Sequence, residues 1–254
     1  MLTIMLTIKI IIFLLGLAIG SFLNVCIYRI PSKISVSYPP SHCPTCEHKL
    51  NALDLIPVLG FLINRGRCRY CKEKISIKYP IIELITAAIF LLLFNKFGLS
   101  IYFLKYAVLT SLLVIITLID LKTQEIPDEL IIFGLITGLL LNLYDIKLNM
   151  LQGIMGFLLG GGTFLIIAMV TRGAMGGGDI KLMAVLGLFL GWKMVILVAL
   201  LSFLLGAIIS LVLIIAKIKG RKDYIPFGPF IATAALITIF HGSQILHLYL
   251  ISIV

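Results

Sequence analysis

The sequence is poor in charged residues, and acidic residues are the scarcer kind. Charged side chains make up 13% of the 254 residues, with 11 Asp and Glu against 21 Lys and Arg, whereas a soluble domain carries roughly 25%. The mean hydropathy is +1.16. This composition excludes an ordinary soluble protein and indicates an integral membrane protein. Because the apolar runs are continuous rather than alternating, the expected spanning elements are α-helices.

Features of several other protein classes are also missing. The formal net charge of +10 is spread over short segments rather than gathered into one basic patch. This argues against nucleic acid as a partner and suits membrane topology and anionic membrane lipids. No glycine-rich nucleotide-binding fingerprint of useful specificity is present. The five cysteines do not resemble a secreted disulfide framework, since four of them form two CxxC pairs.

About eight apolar runs are candidate transmembrane helices. They cover residues 10–28, 81–94, 101–119, 130–144, 151–170, 182–190, 194–215 and 227–254. The run 182–190 is short and needs flanking residues from 179 to 192 to cross a bilayer. We therefore predict an all-α polytopic membrane protein. Residues 1–20 resemble a signal peptide, but Lys9 follows the first apolar residues and the run continues, which favours a retained first helix.

The long polar segment at residues 29–79 predicts the orientation of the chain. Its Lys and Arg outnumber its acids, so the positive-inside rule places it in the cytoplasm and the N-terminus outside. Alternating spans then place Lys122, Lys181 and the basic run 217–222 on the cytoplasmic side as well. The ends of the runs 101–119 and 151–170 therefore share one face of the membrane.

Two acidic residues lie at membrane ends on that face. Asp120 follows the run 101–119, at a helix C-terminus where the helix dipole disfavours a negative charge. Ionisable side chains at membrane depth are functional candidates by default. Asp179 follows Gly176-Gly177-Gly178, which weaken helix propensity and allow close backbone approach. The simpler interpretation of this stretch is a flexible loop that carries an Asp. Asp128 instead suits a helix cap or first turn.

Two facing carboxylates can act together as an acid–base pair. One, ionised, takes a proton from water, and the other, protonated, hydrogen-bonds to the scissile carbonyl. Repulsion between like charges separates the two pKa values and makes this division of roles possible. We therefore predict that Asp120 and Asp179 are the catalytic dyad of an aspartyl protease.

The motifs around these acids resemble those of the type IV prepilin peptidases, members of the GxGD intramembrane aspartyl proteases. Asp120 with Ile126-Pro127-Asp128 forms one motif, and Gly176-Gly177-Gly178-Asp179 forms the other. The N-terminal part is similar in Gly20-Ser21-Phe22-Leu23-Asn24-Val25, Tyr28-Arg29-Ile30-Pro31, Asp54-Leu55-Ile56-Pro57-Val58-Leu59, the CxxC pairs and Tyr79-Pro80 with Glu83-Leu84. The likeness extends from the first to the sixth predicted helix. The order of the motifs makes it specific, whereas GGGD alone would be weak.

The resemblance implies a peptidase that removes the basic leader of prepilin-like precursors after a Gly. It implies catalysis by Asp120 and Asp179 on the cytoplasmic side of the bacterial inner membrane. It also implies N-methylation of the new N-terminus with S-adenosylmethionine, for which the sequence assigns no binding residues. We expect the extended substrate backbone to bind along Gly176, Gly177 and Gly178, since no Cβ obstructs it there.

The cysteine pairs predict a structural zinc site. Cys43 with Cys46, and Cys68 with Cys71, have the two-residue spacing that lets each pair of thiolates reach one ion. A disulfide is disfavoured in the cytoplasm, and redox-active or unpaired cysteines remain the alternatives. We therefore predict a first transmembrane helix at 1–28, a zinc-binding, methyltransferase-associated subdomain at 29–80, and a transmembrane aspartyl peptidase domain at 81–254.

Other interpretations of the chain remain open. The substrates could be competence or type II secretion pseudopilins instead of pilins. An ion-coupled transporter would also bury two carboxylates, but it predicts an internal repeat and does not explain the cysteine pairs. A non-catalytic zinc-bearing scaffold is the remaining possibility.

Glycine and proline clusters give two structural expectations. The glycines of the run 151–170, namely Gly153, Gly156 and Gly160 to Gly162, predict tight packing that brings this run close to the run 101–119 and so brings the two aspartates together. Pro226-Phe227-Gly228-Pro229 either lines the substrate cleft or begins the last helix.

Overall fold

The computed structural model describes residues 2–145, 148, 150–171, 175–220 and 223–251. Within these ranges the chain is helical, and its β-structure is limited to isolated bridges. In chain order the helices are α1 (Leu2–Arg29), α2 (Leu59–Ile63), α3 (Lys78–Phe97), α4 (Ile101–Thr123), α5 (Asp128–Asn142), α6 (Met150–Val170), α7 (Gly177–Leu190), α8 (Trp192–Ile215) and α9 (Gly228–Ile251). The predicted all-α fold is confirmed.

The described part of the chain contains 6 helices that are long and apolar enough to cross a membrane, namely α1, α3, α4, α6, α8 and α9. Helices α5 and α7 have only 15 and 14 residues. The predicted count of about eight spans is therefore not confirmed, and membrane crossing by these two shorter helices stays a prediction. Helix α1 begins at Leu2, well before the predicted start at residue 10, because the residues before Lys9 are also apolar.

The chain forms two compact units, Met1–Phe103 and Leu104–Val254. In the first unit, α1 packs along α3. A Cβ added at Gly16 would lie 2.5 Å from Ala87 Cα, and one at Gly20 would lie 2.7 Å from Glu83 Cα. Only glycine at positions 16 and 20 allows the two backbones to approach this closely.

Polar side chains anchor the segment between α1 and α3. The buried carboxylate of Asp54 accepts a hydrogen bond from Asn64 Nδ2 at 3.1 Å and pairs with Arg69 Nε at 2.9 Å. The buried Glu83 of α3 accepts the backbone N–H of Val58 at 2.7 Å. These bonds connect the irregular backbone of residues 30–77 to itself and to α3, which compensates for the little helix that the segment contains.

In the second unit, α7 is enclosed by α5, α6, α8 and α9. Each residue from Leu182 to Leu190 is buried. The glycines of α6 explain the closest of these contacts, since added Cβ atoms at Gly156 and Gly160 would collide with the carbonyl oxygens of Gly187 and Met183 on α7. The glycines therefore pack α6 against α7, not against α4 as their pattern predicted, because the helix that carries Asp179 begins after α6.

A polar cluster near the start of α4 was not predicted. Lys105 is fully buried, and its Nζ lies 2.6 Å from both Asn142 Oδ1 and Asp145 Oδ2. Asn142 Nδ2 donates to the Leu188 carbonyl of α7 at 2.7 Å. The cluster thus connects α4, the end of α5 and α7. A lysine inside an apolar run was the available sequence signal.

Candidate active site and metal centre

Asp120 lies on the last turns of α4 and is 3% exposed. Its Oδ2 accepts the backbone N–H of Gly228 at 2.9 Å. Gly228 is the first residue of α9, and a Cβ added there would lie 2.6 Å from the same oxygen. The 226–229 stretch therefore begins the last helix, as expected, and Gly228 also borders Asp120. Its place in a substrate cleft stays a prediction.

Asp179 lies in the first turn of α7 and is 5% exposed. Its carboxylate lies next to the backbone of Gly176, the N-cap residue of α7. Asp120 lies close enough for the two like charges to repel each other. The structure thus brings the two predicted acids together in one unit. Their catalytic role stays a prediction.

The three glycines before Asp179 have different surroundings. A Cβ added at Gly178 would lie 2.8 Å from Ile126 Cβ, in the connection between α4 and α5. At Gly176 it would lie 3.2 Å from Asp179 Oδ2, whereas at Gly177 it would meet nothing within 4 Å. Gly178 therefore serves close packing, Gly176 borders the carboxylate, and Gly177 faces open space. Substrate binding by these glycines stays a prediction.

Asp128 and Lys181 form an ion pair beside the two aspartates. The Lys181 Nζ lies 2.6 Å from Asp128 Oδ1, and both side chains are largely exposed. Asp128 does occupy the first turn of α5, as predicted, but the N-cap residue is Pro127. The pair connects the first turns of α5 and α7, and an exposed pair of this kind contributes roughly 0–1 kcal/mol.

Tyr224 is a residue near the dyad that the sequence analysis missed. Its hydroxyl would lie 3.9 Å from a Cβ added at Gly176. Burial raises the pKa of Tyr224, and the charges of Asp179 and Asp120 raise it further. No motif marked this tyrosine, because its position depends on the path of the chain before α9.

The four cysteines of the CxxC pairs meet in the first unit. The Sγ atoms of Cys43, Cys46, Cys68 and Cys71 all lie within 4.8 Å of one another. None of them forms a disulfide. This arrangement agrees with the predicted metal site.

The two cysteine pairs lie in turns of the same construction. The Cys43 N–H donates to the His48 carbonyl at 3.0 Å, and the Cys68 N–H donates to the Glu73 carbonyl at 2.8 Å. The residue after each second cysteine has a positive φ, 56° at Glu47 and 61° at Lys72. An antiparallel bridge closes each turn, His42 with Lys49 and Arg67 with Lys74. Both pairs therefore present their thiols from equivalent tight turns, as zinc knuckles do.

The ionisation of the thiols fits a bound cation. Hydrogen bonding, first from the Cys46 backbone, lowers the pKa of Cys43 to about 6. At Cys71 the Glu73 backbone N–H acts to lower the pKa, but desolvation and the neighbouring thiols outweigh it and raise the pKa to about 12. Without a bound cation, the four thiols therefore do not all ionise together. A divalent cation would compensate their charge, and the sulfur-only donor set suits Zn²⁺.

Comparisons with known proteins agree with these features. Residues 14–97 match the Bacterial Peptidase A24 N-terminal domain, and residues 107–211 match the Type IV leader peptidase family. The chain is 35% identical over 240 residues to a prepilin leader peptidase/N-methyltransferase of Bacillus subtilis, covering 94% of this chain and 97% of that protein.

Two further relatives carry the same name. The protein of Pseudomonas putida is 32% identical over 258 residues, with 91% of this chain and 90% of that protein covered. The protein of Legionella pneumophila is 33% identical over 268 residues, with 93% and 92% covered. No solved structure matches the chain significantly.

The apolar helices of the described part of the chain define a polytopic membrane protein. The chain belongs to the type IV leader peptidase family, as its motifs predicted. With its six apolar helices it is a multi-pass protein of the bacterial inner membrane.

Proposed function

We propose that this chain is a prepilin leader peptidase that also N-methylates its product. It cleaves the basic leader from type IV prepilin-like precursors after a Gly and then transfers a methyl group from S-adenosylmethionine to the new N-terminal amine. The observation that carries the proposal is the pairing of Asp120 with Asp179 in a chain of this family, with the Asp120 carboxylate supported by the Gly228 N–H.

The two carboxyl groups suffice for amide hydrolysis. The ionised one takes a proton from a water molecule while the water oxygen attacks the scissile carbonyl carbon. The protonated one donates its proton to the carbonyl oxygen, and a tetrahedral intermediate results. The C–N bond then breaks as the proton taken from water passes to the leaving nitrogen, and a hydroxyl of the intermediate returns its proton to the other carboxylate, which restores the dyad. Burial of both carboxyl groups strengthens their mutual repulsion, which keeps one of them protonated.

The substrate approaches the dyad along the stretch from Gly176 to Gly178. Gly177 faces open space, so an extended substrate backbone can pass close to α7 without meeting a Cβ. The apolar segment of a prepilin would lie among the membrane helices, and its basic leader would stay in the cytoplasm. This places the active site and residues 30–77 on the cytoplasmic side and the N-terminus outside.

Zn²⁺ would be held by Cys43, Cys46, Cys68 and Cys71, whose sulfurs already lie within 4.8 Å of one another. Its chemistry there is structural, since four thiolates fill a tetrahedral shell and leave no position for substrate. The cysteines would hold the two turns together and so order the segment between α1 and α3.

Mass spectrometry of a prepilin-like peptide tests both activities. The purified protein is incubated with the peptide, with and without S-adenosylmethionine. We expect cleavage after Gly in both samples and a methylated N-terminus only with the methyl donor. Asp120→Asn and Asp179→Asn should each abolish cleavage. Asp128→Asn is the matched control, because Asp128 is an exposed acid in the same region and should leave cleavage unchanged. Cleavage at the wild-type rate by either dyad variant would refute the proposed dyad.

The precursors that the protein cleaves are either pilins or pseudopilins. A panel of precursor peptides from pili, competence systems and type II secretion systems would separate them by kcat/KM.

A further inference from the structure

The segment from Tyr224 to Gly228 borders both aspartates. At its end, the Gly228 N–H bonds to Asp120 Oδ2 at 2.9 Å. At its beginning, the Tyr224 hydroxyl lies beside Gly176, the residue that also borders the Asp179 carboxylate.

Tyr224 and Asp179 both border the space that a side chain at position 176 would occupy. A Cβ added at Gly176 would lie 3.2 Å from Asp179 Oδ2 and 3.9 Å from the Tyr224 hydroxyl oxygen. Because residue 176 has no side chain, this space stays open to a polar group from another molecule. A carboxylate oxygen and a phenolic hydroxyl border it.

The Tyr224 hydroxyl is free to bind a ligand. It has no hydrogen-bond partner among the residues that the structure describes, and Tyr224 is 49% exposed. Because burial and the two aspartates raise its pKa, the phenol stays protonated at neutral pH. It can therefore donate a hydrogen bond to a carbonyl oxygen.

We propose that Tyr224 is a substrate-binding residue whose hydroxyl donates a hydrogen bond to a main-chain carbonyl of the leader segment lying across Gly176. This inference rests on the proposed peptidase function. An extended substrate loses water from its carbonyl groups as it enters the site, and each carbonyl needs a new donor. The dyad supplies its proton to the scissile carbonyl and is therefore not available to a neighbouring carbonyl. The Tyr224 hydroxyl supplies the donor for a neighbouring carbonyl and so positions the scissile bond.

The test measures leader cleavage by Tyr224→Phe, which removes only the hydroxyl. Losing one such hydrogen bond should lower kcat/KM about tenfold, chiefly through a higher KM. Tyr144→Phe is the matched control. Tyr144 is 71% exposed and follows the C-terminal end of α5, whereas Asp128 lies at the N-terminal end of that helix. It should cleave at the wild-type rate. Tyr224→Leu, which removes the ring as well, should be impaired to a similar degree as Tyr224→Phe. Thermal unfolding in detergent should give one Tm for all four proteins.

Several results would overturn the inference. Wild-type kcat/KM in Tyr224→Phe would refute it, as would a Phe variant that cleaves normally while the Leu variant does not, since the ring alone would then matter. A lower Tm in Tyr224→Phe would make the hydroxyl part of the fold and refute a substrate contact. Asp179→Asn, assayed in parallel, separates the two proposals: if it is inactive while Tyr224→Phe is normal, only the role of Tyr224 fails. If Asp179→Asn cleaves normally, the dyad fails and Tyr224 with it.

Discussion

Asp120 occupies a position where its charge is costly. It lies near the C-terminus of α4, where the helix dipole opposes a negative charge, and it is buried. One main-chain N–H, that of Gly228, offsets part of this cost. Asp179 has the opposite situation at the N-terminus of α7, where the dipole favours its charge. The two carboxyl groups thus differ in environment, which is the condition for an acid and a base to coexist in one dyad.

Substitutions at Gly177 and Gly178 separate substrate access from packing. Gly178→Ala places a Cβ 2.8 Å from Ile126 Cβ, so the first turn of α7 must shift, and we expect both a lower Tm and slower cleavage. Gly177→Ala meets no atom within 4 Å, so its Tm should match the wild type. Its kcat/KM should still fall, by up to about a hundredfold, because the new methyl obstructs the substrate.

Thermal unfolding and peptide cleavage, measured on both glycine variants, check this prediction. Full activity in Gly177→Ala would remove Gly177 from the substrate-binding residues. An unchanged Tm in Gly178→Ala would contradict the packing role.

At the scale of single residues, the sequence predicts which side chains carry chemistry better than it predicts which residues contact each other. The cysteine spacing predicts the cluster because the turns that build it are local. Asp120 and Asp179 are marked by acidity at membrane ends. The hydrogen bond from Gly228 to Asp120 joins residues that are 108 positions apart in the chain. The position of Tyr224 depends on the same path of the chain before α9. Local patterns contain no signal for such pairings.

At the scale of helices, α6 controls the position of α7 and therefore of Asp179. Gly156→Ala would drive a Cβ into the Gly187 carbonyl of α7. We expect a loss of about 1–3 kcal/mol of stability, with a lower Tm and slower cleavage. Gly162→Ala is the matched control on the same helix, since a Cβ there meets nothing within 4 Å. Its Tm should be unchanged or slightly higher, because alanine favours the helix by roughly 1 kcal/mol.

Tm in detergent and kcat/KM for a prepilin-like peptide provide the measurements for these two variants. Equal Tm values for Gly156→Ala and Gly162→Ala would mean that α6 and α7 are not held by this backbone contact.

The paired turns of the cysteine cluster predict dependence on metal. Cys46→Ser should lower the zinc content well below the expected value of about one ion per chain. Because structural zinc contributes on the order of 10 kcal/mol to folding, residues 30–77 should then become sensitive to protease. Cys26→Ala is the control, since Cys26 is buried in α1 and lies outside the cluster. Metal analysis and limited proteolysis measure both effects, and a zinc-free wild-type protein with a protected segment would refute the site.

Sequence patterns predicted the long helices but were insufficient to predict the surroundings of the short ones. The long helices were predicted because an apolar run of membrane length needs no neighbours to be recognised. Helix α7 has 14 residues, and its single apolar stretch does not reveal whether lipid or protein surrounds it. The structure answers this, since α5, α6, α8 and α9 all pack against it. Protein enclosure also allows the irregular glycine backbone before α7.

At the scale of the whole molecule, the orientation is the prediction to test. Leu99 lies between α3 and α4 and is 68% exposed. An impermeant maleimide applied to cells stripped of their wall should label Leu99→Cys. The wild-type protein is the matched control: its exposed cysteines, Cys46 and Cys71, belong to the segment expected inside and should stay unlabelled. Equal labelling of the wild type and of Leu99→Cys would reverse the orientation.

The architecture was predictable from composition, and the division into units was not. Apolar runs and their separation give helices and a polar segment in the right order. The two compact units, Met1–Phe103 and Leu104–Val254, follow instead from which helices contact each other. The proposed functional boundaries at 1–28, 29–80 and 81–254 stay predictions.

The buried Lys105 has a consequence for how the protein is made. Its partners Asn142 and Asp145 lie 37 and 40 positions later in the chain, so the ribosome completes α4 before either partner exists. A lone lysine in lipid costs several kcal/mol. We therefore expect the insertion machinery to hold α4 until α5 emerges, and the two helices to enter the bilayer as a hairpin.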